Sequence, residues 1–246
     1  MCARHSRARA GATRPEQVGR LLSARALSQA LARHERMSAR AAHERAKELL
    51  AELGIPDPRR YLERYLHQLS GGMHQRVMIA IALSGRPRLP IADEPTAALD
   101  VTIQAQTLEL MQRIQKHSGM ATIFVTHNLG IVSEIAQRAI VMYAGEIVET
   151  LPVARLFVAA RVPYTSALLR SVPRLGAIRQ PSRKLEAIPG TAPNLASVPC
   201  GCAFHPRCRY SVPGRCDETH PPLESPERDH LVRCLRWQEL CEAVPA

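Results

Sequence analysis

Lysine is nearly missing from this chain: among 33 lysines and arginines, only Lys47, Lys116 and Lys184 are lysines. They follow Ala46, Gln115 and Arg183, so none belongs to a Gly-x-x-x-x-Gly-Lys-Ser/Thr loop, the segment whose amides and lysine cradle nucleotide phosphates. Long apolar runs are missing too. The longest, Val77 to Leu83, falls far short of the ~20 residues that cross a bilayer as a helix. Acidic residues are absent before Glu16, and Met1 to Ala12 is rich in arginine. Without the apolar stretch of a secretory signal, residues 1–14 are expected to form a disordered start. Internal repeats are absent as well.

The 246 residues leave room for one or two domains with a sizeable core. Hydrophobic residues make up 46% and charged residues 22%, ordinary globular values that exclude wholesale disorder. A formal net charge of +11 would suit a phosphate-rich partner. The arginines are scattered rather than gathered, however, and no nucleic-acid partner is expected. Seven cysteines without an export signal argue against a disulfide framework. Five of them lie between Cys200 and Cys234, and such clustering points to a metal site.

Ser38 to Leu53 places Ala42, Ala46, Leu49, Leu50 and Leu53 at helical spacing, with Ser38 as N-cap and Gly54-Ile55-Pro56 as the stop. Ser70-Gly71-Gly72 runs into a second helical pattern at Met73, Val77 and Ile81, a loop feeding a helix N-terminus. Leu89 to Ala92 reads as a short buried strand ending in Asp93 and Glu94, Val101 to His117 as a helix, and Thr122 to Val125 as a strand ending at Thr126-His127. After a short helix over Leu129 to Ala136, two strand patterns flank Ala144-Gly145 as a two-residue hairpin. Strands alternating with helices predict an α/β layer with parallel strands and this hairpin at its edge. Beyond Leu151 prolines are frequent, and helix is expected only around Tyr164 to Ser171. Residues 151–246 therefore read as an irregular, separately organised tail.

In an α/β sheet, ligands bind beyond the carboxyl ends of the strands, where Asp93, Glu94 and His127 are expected to gather. One carboxylate there can hold Mg²⁺ through water while the other orients and deprotonates an attacking water, and a histidine can contact a transferred phosphoryl group. Singly, each is as ordinary as a helix-start turn or a loop histidine. Ser70, Gly71 and Gly72 give a stronger signal. A hydroxyl, two exposed glycine amides and a helix N-terminus make an anion site suited to phosphate oxygens.

Taken together, these segments resemble a known family. LSGGM-x-QR from Leu69, IADEPT from Ile91, AALD ending at Asp100 and FVTHN from Phe124 are similar to the signature loop, Walker B, D-loop and switch histidine of ATP-binding cassette (ABC) ATPases. VMIAIAL, LDVTIQAQ and VPYTSALLRSVP, followed by a cysteine-rich tail, resemble the ATP-binding subunits of bacterial oligopeptide and dipeptide importers, over roughly Pro15 to Trp237. The resemblance implies an α/β fold: a partial ABC-type nucleotide-binding domain over 15–150, P-loop NTPase-like with a mostly parallel sheet and helices, and the family's C-terminal extension over 151–246. It implies ATP and Mg²⁺ as cofactors, with Asp93 toward Mg²⁺, Glu94 toward the hydrolytic water and His127 toward the γ-phosphate. Ser70, Gly71 and Gly72, with Gln75 counted among the nucleotide-binding residues, would face the γ-phosphate of a nucleotide held by a second subunit. Asp100 would lie at that dimer interface. The implied partners are this second ATP-binding subunit, transmembrane permease subunits and, indirectly, a peptide-binding protein, with the chain peripheral on the cytoplasmic face of the bacterial cell membrane.

The chain departs from the family where the Walker A lysine loop should stand. With that loop, the adenine-stacking aromatic and the Q-loop glutamine not found, it reads as truncated at its N-terminus. Pro90 falls in the Walker B strand, where an internal proline removes a ladder donor; Asn128 replaces the usual Asp and Val162 the usual His. In the tail, Cys202, Cys208, Cys216 and Cys234 are spaced x5, x7 and x17. The close pair that marks structural zinc is absent among these four, and four thiolates can instead hold an iron-sulfur cluster. The family extension implies a [4Fe-4S] cluster in some members. Zinc and free thiols stay open, with Cys2, Cys200 and Cys241 as bystanders. Three functions are compatible: an ATP-hydrolysing subunit driving peptide import, a non-catalytic chain lending only its signature loop to an intact partner, and a DNA-repair type ABC ATPase, which leaves the tail unexplained.

Overall fold

The computed structural model describes residues 23–97, 99–171 and 187–240; the disordered start expected over 1–14, and Cys2 and Cys241, lie outside them. Contacts divide the chain into two units, Met1–Val125 and Thr126–Ala246. Among the described residues, no helix is long and apolar enough to cross a membrane.

In the first unit, helices α1 (Ser23–Glu35), α2 (Ala39–Glu52), α3 (Pro58–Leu62) and α4 (Gly71–Leu83) enclose a core of Leu27, Leu31, Leu50, Leu53, Leu62 and Val77. Each buried leucine there stabilises by roughly 1.5–3 kcal/mol. The bounds of α2 match its sequence signals. Ser38 Oγ accepts the Ala41 N–H at 3.3 Å, and beyond the last turn Gly54 takes φ +72°. That left-handed step lets the Ile55 N–H return to the Leu50 carbonyl at 3.0 Å, a cap that a residue bearing a Cβ resists.

Strands β1 (Ile91–Asp93) and β2 (Ile123–Val125) pair in parallel, Ile91 opposite Ile123 and Asp93 opposite Val125. Helix α5 (Val101–Ser118) is their crossover, the connection that parallel strands require. It starts on Asp100, whose Oδ1 accepts the Ile103 N–H at 2.9 Å, and stops at Gly119 with φ +65°. Two expectations for β1 fail. Ile91 is 68% exposed rather than buried, and Pro90 precedes the strand instead of interrupting it, its carbonyl accepting the Ile123 N–H at 3.0 Å.

The second unit opens with α6 (Leu129–Ile135), capped by Asn128, whose Oδ1 accepts the Gly130 and Ile131 N–H groups. An amide oxygen thus does what the usual carboxylate would do. Strands β3 (Arg138–Tyr143) and β4 (Glu146–Pro152) form the expected hairpin. It turns through Ala144 and Gly145 at φ +49° and +84°, the left-handed pair that a two-residue turn of this twist requires. The hairpin does not edge the parallel sheet. It begins a separate antiparallel sheet ordered β3-β4-β6-β5, completed by β5 (Glu224–Glu227) and β6 (His230–Val232). The tail is therefore not irregular throughout, because β6 pairs directly with β4. Helices α7 (Val153–Ala159), α8 (Pro163–Arg170) and α9 (Trp237–Leu240) pack with this sheet around buried Leu151, Leu156, Phe204 and Val232.

Candidate functional site

Ser70 takes the N-cap position of α4 with extended backbone, φ −63° and ψ 157°, yet its hydroxyl makes no capping bond. Among the described residues only its carbonyl is used, accepting the His74 N–H at 2.8 Å. Ser70 and Gly71 are both exposed at the positive end of a 13-residue helix, where an anion is electrostatically favoured. The two glycines differ. Gly72, expected to offer an exposed amide, is buried, because a Cβ there would come 2.9 Å from Cγ2 of Ile103. Its lack of a side chain serves close helix packing. Gln75 is half-buried one turn further along, and the Arg76 guanidinium donates to the Leu53 carbonyl, tying α4 to the end of α2.

Asp93, the last residue of β1, is exposed, and Glu94 beside it is half-buried with φ +44°. A left-handed backbone costs an L-residue roughly 1–2 kcal/mol. Two bonds hold it: the Glu94 N–H donates to the Val125 carbonyl at 2.9 Å, and the Glu94 carbonyl accepts the Ala97 N–H at 3.0 Å. Backbone strain over-determined by its surroundings is a mark of functional positions. Both carboxylates leave the sheet at the C-terminal edge of its strands, where α/β folds bind ligands. Asp100 is exposed and spends one oxygen on capping α5. Within the first unit, the structure thus brings Asp93 to Glu94, and Gly71 and Gly72 to Leu99 and Ile103. His127 is exposed and belongs to the second unit, two residues beyond the end of β2.

Cys202, Cys208, Cys216 and Cys234 line one cavity of about 40 Å³, whose wall includes Tyr143, Tyr164 and Arg236. Cys200 is exposed and does not line it. Every one of the four sulfurs faces a backbone N–H: Phe204 and His205 point at Cys202, Tyr210 at Cys208, Arg236 at Cys234, and Val212 at Cys216, 3.5 Å away. Amides aimed at sulfur favour the thiolate. Burial opposes them and dominates in the protein alone, pushing the Cys202 and Cys208 thiols above their usual range and Cys234 up to about 12. Neighbouring cysteines add to each rise. Gly201, at φ +69°, lies directly against the Cys216–Asp217 backbone, and the Cys202 N–H donates to the Cys216 carbonyl at 2.8 Å. Among the described residues, no three His, Cys, Asp or Glu side chains are grouped to hold a single metal ion.

One buried polar pair is not foreseen by the motifs. Glu149 on β4 and His230 on β6 are both fully buried, with His230 Nε2 2.9 Å from Glu149 Oε1. The same carboxylate accepts the Arg161 N–H at 2.7 Å and the Val162 N–H at 3.3 Å. A carboxylate between Val148 and Thr150 in a strand was the available signal; its partner, 81 residues on, carried none.

A signature-type loop on a helix N-terminus, two acids at the edge of a parallel sheet and a strand-bearing cysteine extension define an ABC-type ATP-binding chain. Residues 4–97 match the family model described as ABC transporter, and residues 148–216 match that of the oligopeptide/dipeptide transporter C-terminal region. The chain belongs to the ABC family, in the branch of ATP-binding proteins of oligopeptide and dipeptide transporters. It is 57% identical to a peptide import ATP-binding protein of Brucella melitensis biotype 1, over 84% of this chain and 62% of that protein. It is 48% identical to the oligopeptide transport ATP-binding protein OppD of Bacillus subtilis, over 84% of this chain and 57% of OppD. With the dipeptide transport ATP-binding protein DppD of Escherichia coli K12 it shares 50% identity, over 73% of this chain and 54% of DppD. The chain spans less than two thirds of the length of these curated relatives.

Proposed function

We propose that this chain serves as an ATP-binding subunit energising the import of oligopeptides or dipeptides, seated on permease subunits at the cytoplasmic face of the cell membrane. The observation that carries this reading is Ser70, an exposed hydroxyl unused by its own helix and set beside exposed Gly71 at the positive end of α4. Ser70, Gly71 and Gln75 would meet the γ-phosphate of ATP bound to a second subunit, with Asp100 at the interface. Asp93 would hold Mg²⁺, Glu94 would orient a water and accept its proton, and His127 would contact the γ-phosphate. Bound MgATP supplies the phosphoanhydride bond whose cleavage drives transport. The described residues fit the signature half of such a site.

In a second reading, resting on the same unused Ser70 hydroxyl, the chain lends only its signature loop to an intact partner and hydrolyses nothing at its own carboxylates. ATPase measurements on the chain assembled with an intact ATP-binding subunit separate the two. Loss of turnover with both Ser70→Arg and Glu94→Gln supports the first reading, and loss with Ser70→Arg alone supports the second. Indifference to Ser70→Arg refutes both.

The cysteine cavity is read as the seat of an iron-sulfur cluster held by Cys202, Cys208, Cys216 and Cys234. An all-thiolate donor set and an amide aimed at each sulfur support this. Zinc would need four donors converging ~2.3 Å from one point. A cluster would spread its ligands around a larger body, and the four thiols line a common cavity. It would supply one-electron chemistry and folding free energy to the tail. Anaerobic purification followed by iron, sulfide and zinc analysis should give about four irons per chain; zinc instead, or no metal, overturns the reading.

A further inference from the structure

Gly71 and Gly72 stand side by side in the sequence but meet different surroundings. Among the described residues, a Cβ on Gly71 would find only Leu99 Cδ2, at an ordinary 3.5 Å, whereas one on Gly72 would meet Ile103 Cγ2 at 2.9 Å and Cδ1 at 3.4 Å. Ile103 cannot readily yield. Its Cβ branch restricts χ1 in a helix, and its backbone N–H is held by Asp100 Oδ1 at 2.9 Å. The contact therefore runs without slack from the first turn of α4, through Ile103, to the carboxylate that caps α5.

We propose that Ile103 is a positioning residue for the signature loop: seated in the notch left by Gly72, it fixes Ser70 and Gly71 relative to Asp100, so that both edges of the nucleotide-facing surface move as one piece. This rests on the reading of Ser70 and Gly71 as the γ-phosphate-facing residues. Gly72 is then required by a protein neighbour in its own chain, and not by the approach of a ligand.

The two requirements separate in a steric rescue. Four full-length chains are compared, carrying the native residues, Gly72→Ala, Ile103→Ala, or both, by hydrogen exchange of the segments covering Leu69–Met73 and Val101–Gln104. Overpacking against a fixed side chain should make Gly72→Ala accelerate exchange in both segments by about tenfold or more. Adding Ile103→Ala removes the obstructing methyl and should return both segments to the Ile103→Ala level. Unchanged exchange in Gly72→Ala, or acceleration that Ile103→Ala does not relieve, overturns the proposal. A second readout addresses positioning: in the complex with an intact ATP-binding subunit, Ile103→Ala should lower kcat several-fold with KM for ATP little changed. The loop would meet a nucleotide already held by the partner, so misplacing it slows the closed-state chemistry rather than binding. Full turnover with Ile103→Ala in that complex also overturns the proposal. If the native chain evokes no turnover in the complex, the nucleotide reading of Ser70 fails, while the exchange rescue still decides whether Ile103 holds the loop to Asp100.

Discussion

Gly201 offers a sharp test of how tightly the cysteine cavity is built. A Cβ at this position would lie 2.5 Å from the Cys216 carbonyl oxygen and 2.6 Å from the Asp217 carbonyl carbon, and φ is +69°. Gly214 has nearly the same backbone, φ +75°, with nothing among the described residues within 4 Å of its Cβ position, so it is an internal control. Both alanine substitutions carry the left-handed penalty of about 1–2 kcal/mol. Only Gly201→Ala also drives a methyl into backbone that cannot rotate away, an overpacking cost of about 1–3 kcal/mol. Gly201→Ala should thus destabilise by about 2–5 kcal/mol in total, exceeding Gly214→Ala by at least ~1 kcal/mol. Trp237 is the only tryptophan, and its Nε1–H donates to Glu224 at 2.7 Å within the second unit. Its fluorescence therefore follows urea unfolding of the unit in question. At a slope of about 1–3 kcal/mol per molar urea, the midpoint for Gly201→Ala should fall below that of Gly214→Ala by roughly 0.3 M or more. If the proposed cluster is held there, bound iron should fall with it, since the Cys202 N–H bond to the Cys216 carbonyl spans the same contact. Equal midpoints for the two variants would refute the reasoning.

Glu149→Ala strands three donors, the amides of Arg161 and Val162 and the His230 ring. It should cost about 3–5 kcal/mol in the same urea assay, with Glu149→Gln costing less because an amide oxygen still accepts; a loss under ~1 kcal/mol for the alanine variant would contradict the buried network. In the metal-free, reduced chain, stability should fall as pH rises from about 9 toward 12. Over that window the unfolded Cys234 thiol has shed a proton that the folded one, with its pKa pushed up to about 12 from 9.0, retains, which makes the slope negative. Thermal melts at stepped pH check this, and a flat or rising profile would count against the buried thiols.

Local signals were legible in this sequence, and long-range ones were not. Ser38 and Gly54 mark the ends of α2 to within a residue because capping depends on side chains at the boundary itself, and Ala144-Gly145 announces the hairpin for the same reason. Glu224–Glu227 shows no apolar alternation, so β5 emerges only through pairing with β6, which itself pairs with β4. The clustering of Cys202, Cys208, Cys216 and Cys234 predicts that they share a site, yet the amides facing them are invisible until the turns are drawn. Gly71 and Gly72 are the same letter twice. What separates their duties is Ile103, a residue of another helix. Pro90 misleads in the opposite way, since a proline one position before a strand reads from sequence just like one inside it.

The parallel pair β1–β2 has a practical corollary. Parallel strands are ordinarily covered on both faces, but Ile91 is 68% exposed here and Ile123 and Val125 are each 45% exposed among the described residues. Exposed branched side chains on short strands are a seed for self-association. Purified chain is therefore expected to lose soluble material faster as its concentration rises, a trend that light scattering would check. Variants recovered from a screen for soluble yield should gather at 91, 123 and 125 while leaving Leu27, Leu50 and Leu62 untouched.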